Sequence, residues 1–109
     1  MKTVDIKKHI ILTPHHRLDL VGANAMKEQF LSLIGKEPNL WIIDMTNVEF
    51  IDSSGLSALV IGLKTARDYG YTLVICNPNP TVKLTFEITQ LDRVFQIFNN
   101  IDEIFSDFE

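Results

Sequence analysis

A single cysteine, Cys76, leaves this chain of 109 residues without an internal disulfide, so nothing in it calls for an oxidising compartment. Long apolar runs are missing too. No stretch approaches the roughly 20 apolar residues of a membrane-spanning helix, and the opening Met1-Lys2-Thr3-Val4-Asp5 has no apolar signal core. Positive charge is scarce. Ten Lys and Arg stand against fourteen Asp and Glu, for a net charge of −4, and the densest basic cluster is Lys7-Lys8-His9. Nucleic acids and anionic membranes are held by clustered bases, so neither is expected as a partner. A cytoplasmic protein is the expectation.

Catalytic and metal-binding patterns are also lacking. The chain has no G-x-S-x-G nucleophile elbow, no Cys/His zinc spacing and no Gly-rich phosphate loop with its Lys. His9, His15 and His16 are its three histidines, and the sequence puts none of them beside a serine. Read as neighbours on a strand, His15 and His16 point to opposite faces and do not chelate one ion. No enzyme activity, metal or cofactor is expected. Cys76, within Leu73-Val74-Ile75-Cys76, reads as a small core residue.

What is present is enough for one compact core: 46% of the residues are hydrophobic. No repeat, linker or low-complexity segment divides the chain, so residues 1–109 form one expected domain. Residues 3–14 read as one strand or a tight pair, with Pro14 at its end. Ala23, Met26, Phe30, Leu33 and Ile34 mark one face of a helix over 22–34, stopped by Gly35. Leu40-Trp41-Ile42-Ile43 is a buried strand. A loop from Met45 to Asp52 leads into a helix over 54–69, whose stripe is Leu56, Leu59, Val60, Leu63 and Ala66. Residues 71–76 are a second buried strand. A third helix runs from Pro80 or Thr81 to about Thr89. Val94–Phe98 reads as a short edge strand, and Asn100 with Glu103 as the capping box of a last helix. This alternation gives an α/β fold: a mixed sheet of four to five strands with about four helices.

The stretch that carries chemistry is Phe50-Ile51-Asp52-Ser53-Ser54-Gly55-Leu56. Asp52, Ser53 and Ser54 are each competent to cap the following helix. The first turn also has free N–H groups and partial positive charge, so a phosphate on either serine is accommodated there without unfolding the helix. Such a phosphate adds about −1.5 to −2 charges beside Asp52. The local sequence therefore leaves two readings open, a helix cap and a modification site.

The same stretch closely resembles the phosphorylation loop of the STAS domain, the family of anti-sigma-factor antagonists. Arg17-Leu18-Asp19 is similar to the family's Gly-x-Leu-Asp element, with His16 in the glycine's place. Ala66-Arg67-Asp68-Tyr69-Gly70-Tyr71-Thr72-Leu73 resembles its helix-to-strand turn. Asn79-Pro80-Thr81-Val82-Lys83, with Phe86 and Leu91, resembles its third-helix region. The likeness spans about residues 10–98. It implies a phosphorylatable regulator. Unphosphorylated, such an antagonist binds an anti-sigma factor that is often also a serine kinase; phosphorylation dissociates the pair, and a PP2C-type phosphatase resets it. The acceptor that the family implies is Ser53, with Ser54 as runner-up. Asp19, Asp52, Ser54 and Gly55 are implied to meet the partner, Asp52 orienting the loop and Asp19 reaching toward the kinase or its nucleotide. In the third helix Thr85 stands where an apolar residue is expected, and Leu84 and Ile88 form a second apolar pair. Either the helix face is shifted, or Leu84 is exposed and contacts a partner. A monomer or weak dimer is expected. The alternative function is a stand-alone STAS module of another signalling, scaffold or transport complex.

Overall fold

The computed structural model describes residues 8–108. Its elements run β1 (His9–Leu12), β2 (His16–Leu18), α1 (Leu20–Leu33), β3 (Leu40–Asp44), β4 (Val48–Ile51) and α2 (Ser53–Asp68). They continue with β5 (Thr72–Cys76), α3 (Pro80–Ile88), a 3-10 turn (Leu91–Arg93), β6 (Gln96–Phe98) and α4 (Ile101–Phe108). Strands β1-β3-β5-β6 form one sheet, and β2 and β4 form a separate pair. Every described pairing is parallel, where the sequence suggests a mixed sheet. Parallel neighbours need a crossover between them, and the helices supply it.

The two central strands are buried on both faces, which explains their unbroken apolar runs. Successive side chains of a strand alternate between faces. Trp41 and Ile43 of β3, with Leu73 and Ile75 of β5, join the larger core with Met26 and Phe30 of α1 and Leu59 and Leu63 of α2. Leu40, Ile42, Val74 and Cys76 turn to the other face and meet Ile104 of α4. The sheet thus lies between α1 and α2 on one side and α4 on the other. In the larger core the Phe30 ring stacks on Trp41 at 5.6 Å between centroids. Gly62 of α2 lies against that ring, where a Cβ would collide with it.

Cap chemistry sets the helix starts. Asn79 accepts from the Val82 N–H at 2.8 Å, with Pro80 in the first helical position where its missing N–H costs nothing. At α4, Asn100 accepts from the Glu103 N–H at 3.0 Å, and the Glu103 carboxylate answers to the N–H of Asn99. Gly35 and Gly70 both take positive φ just after a helix.

Several boundaries differ from the sequence reading. The first strand covers only His9–Leu12 among the described residues; residues 3–7 of the expected strand lie outside them. Helix α1 starts two residues early, because Asp19 caps it while Leu20 and Val21 stay exposed and add nothing to the apolar stripe. The loop from Met45 to Asp52 contains β4. In α2, Val60 is exposed and the small residues Gly55, Ala58 and Gly62 are buried in its place. The stripe is narrower in side-chain volume because α1 crosses close by. Thr85 is half-buried and returns its hydroxyl to the Thr81 carbonyl at 3.0 Å. The helix face is therefore not shifted onto Leu84, which is 52% exposed, with Val82 and Phe86 buried.

Candidate functional site

The pairing of β2 with β4 builds the site. Arg17 lies opposite Phe50 and Leu18 opposite Ile51. The next residue of each strand is an aspartate, Asp19 and Asp52, and each caps the helix that follows. Asp19 accepts from the Gly22 N–H at 3.3 Å, and Asp52 accepts from the Gly55 N–H at 3.1 Å. The Asp52 N–H in turn donates to the Leu18 carbonyl at 3.3 Å. Helices α1 and α2 therefore begin side by side, each with a carboxylate at its N-terminus, where negative charge is favoured. A β-bulge between His16 and Arg17 sets this register. His16 takes φ +51 there, the left-handed conformation that glycine enters most cheaply. Its N–H is held by the Asn47 carbonyl at 2.6 Å.

Ser53 is the first residue of α2 and is exposed; Ser54 is half-buried. Asp52 is the cap, and among the described residues no hydrogen bond ties either serine hydroxyl. Gly55 is buried because of close approach, not because of an unusual φ. A Cβ there would collide with the Leu18 carbonyl and lie 2.9 Å from Ile51 Cγ1. The glycine thus lets α2 seat directly on the β2–β4 pair.

The structure brings Asp19, Asp52, Ser53, Ser54 and Gly55 to one end of the molecule. Leu84 is not among them. It lies on α3, which shares its core with Val48 and Ile51 of β4 through Val82 and Phe86. Asn79 ties the start of α3 to the same strand, its amide donating to the Val48 carbonyl at 2.9 Å. Sequence reading missed two features. Strand β4 shows no alternation, with Val48 and Ile51 buried and Glu49 and Phe50 exposed, so period-2 patterning does not find it. The Arg17 guanidinium carbon lies 4.4 Å from the centroid of the Phe50 ring, a contact created by the register. His15 lies in the loop before β2, its ring 6.2 Å from that of His16.

A second polar cluster lies at the end of β3. Burial works to raise the Asp44 carboxyl. Hydrogen bonds from the Thr46 hydroxyl, the Thr46 N–H and the Asn77 amide outweigh it and hold the group below its ordinary value. Beside it, burial and then the Asp44 charge push the Cys76 thiol up to about 11. A thiol kept protonated is a poor nucleophile, which fits Cys76 as core. Among the described residues no helix is long and apolar enough to cross a membrane.

The STAS domain model matches residues 1–104. A candidate anti-sigma factor antagonist of Thermotoga neapolitana is 32% identical over 95 residues, covering 86% of this chain and 84% of that protein. The anti-sigma-B factor antagonist of Listeria monocytogenes is 30% identical over 101 residues, covering 89% of each. The crystal structure of a candidate anti-sigma factor antagonist from Thermotoga maritima superposes with a TM-score of 0.85 at 30% identity, covering 98% of this chain and 91% of that one. The family model and these relatives agree, and the chain belongs to the STAS domain family.

Proposed function

We propose that this chain is an anti-sigma-factor antagonist that works by partner switching and has no catalytic activity of its own. Unphosphorylated, it binds an anti-sigma factor that is also a serine kinase. That kinase transfers the γ-phosphoryl group of ATP to the Ser53 oxygen; the hydroxyl loses its proton and ADP leaves. The phosphate places about −1.5 to −2 charges at the interface, next to Asp19 and Asp52, and the pair separates. A PP2C-type phosphatase hydrolyses the ester and restores the binding form. Ser54 is the second-choice acceptor.

The observation that carries this reading is the division of labour at the start of α2. Asp52 caps the helix, so the exposed Ser53 hydroxyl is spared for modification. Exposure also favours Ser53 over the half-buried Ser54. Gly55 keeps the helix start rigid against β2, and Asp19 offers a second carboxylate beside the acceptor. Leu84, exposed with Ile88 at 52% and 72%, supplies an apolar contact on the neighbouring α3.

The test is incubation with the anti-sigma factor kinase of the same cell and ATP, followed by site mapping and a binding assay. One phosphate on Ser53, with loss of binding, is expected. Binding that survives in Ser53→Asp, with no phosphate on either serine, overturns the reading. Recovery of a scaffold or transport complex in place of a kinase would assign the chain to another STAS assembly.

A further inference from the structure

Arg17 is a cation beside the acceptor that the partner-switching cycle leaves unassigned. It is exposed, and it rests over Phe50, its register partner, at 4.4 Å. Among the described residues no carboxylate lies within ion-pair distance of it; the ion pair found there is Lys8 with Glu37. The two neighbouring aspartates each turn an oxygen to their own helix. Phe50 is 39% exposed, so the contact is wet, and an exposed cation–π contact is weak beside a charge-assisted bond from a guanidinium to a phosphate. Ser53 follows Phe50 by three residues, roughly 10 Å of chain at most. An extended arginine and a phosphoserine close that gap from both ends. His16 pairs with Val48, beyond the bulge, and so stands farther from Ser53 along the ladder.

We propose that Arg17 is the internal partner of a phosphate on Ser53. Modification draws the guanidinium off Phe50 and leaves the ring uncovered. The phosphorylated state then differs from the free state in two ways, an added charge and a rearranged apolar surface. This rests on the proposed function only in taking Ser53 as the modified residue.

The test uses the full chain with phosphoserine installed at position 53 during synthesis, so no kinase is required. Phosphorus NMR follows the second ionisation of the phosphate against pH. The midpoint is expected at lower pH in the native chain than in Arg17→Gln, because a nearby cation favours the dianion. Arg17→Lys, which keeps the charge without the planar fork, is expected to restore part of the shift. Equal midpoints in the native chain and Arg17→Gln overturn the proposal. A second reading needs no substitution. In the unmodified chain the Phe50 ring current is expected to shift the Arg17 side-chain protons upfield, and installing the phosphate to remove that shift; its persistence overturns the proposal. A chain never phosphorylated in its own cell would instead refute the proposed function and leave this result standing.

Discussion

At the scale of single residues, the start of α2 gives each task to a different side chain. Asp52 caps, Gly55 permits close approach, and Ser53 is left exposed. These roles separate by substitution. Asp52→Ala removes the cap and is expected to cost about 1 kcal/mol, whereas Asp52→Asn keeps an acceptor and stays within a few tenths; urea unfolding measures both. Gly55→Ala is expected to destabilise by about 1–3 kcal/mol. Its Cβ meets a backbone carbonyl, which cannot turn aside as a flexible side chain does. Leu84→Ser is expected to leave stability within about 0.5 kcal/mol and to weaken partner binding, read by titration calorimetry. The Asp52-Ser53-Ser54-Gly55 stretch was legible in the sequence as the start of a helix. The choice of cap was not, because Asp52, Ser53 and Ser54 are all good caps and only the fold shows which side chain faces the free N–H.

At the scale of elements, the β2–β4 pair aligns the starts of α1 and α2. Its partners are short, of three and four residues, and one is bulged. Short bulged strands carry little periodicity, so this pair was hidden while the central strands and helices were plain. Helices α1, α2 and α3 were readable from three- and four-residue steps and from Gly or Asn punctuation. The exposed Val60 and buried Gly62 were not, because close crossing favours small residues over an apolar stripe. That crossing is testable. Gly62→Ala gains about 1 kcal/mol of helix propensity in an open helix, but here its Cβ meets the Phe30 ring, which is stacked on Trp41. A net loss of about 1–3 kcal/mol is expected. In a Phe30→Leu background the same substitution is expected to cost less, with a coupling of at least about 0.5 kcal/mol in a double-mutant cycle.

At the scale of the whole molecule, the four-stranded sheet carries helices on both faces, and the separate β2–β4 pair sets the candidate site at one end. Trp41 is the sole tryptophan and is fully buried, so its emission reports global unfolding. It also follows the pH dependence of stability. The Asp44 carboxyl lies below its ordinary value of 3.8 in the folded chain, so the unfolded chain binds that proton more readily. Its contribution is complete above the ordinary carboxylate range and is lost as pH falls through the lower folded value. Asp44→Asn is expected to flatten that part of the acid-unfolding profile. The proposed function turns on the phosphate on Ser53. The direct measurement is peptide mapping by mass spectrometry of the chain recovered from its own cells, together with its Ser53→Ala variant. The added mass of one phosphate is expected on the peptide containing Ser53, and its loss in the variant. An unmodified peptide under every growth condition, with partner binding unchanged in Ser53→Asp, would contradict it.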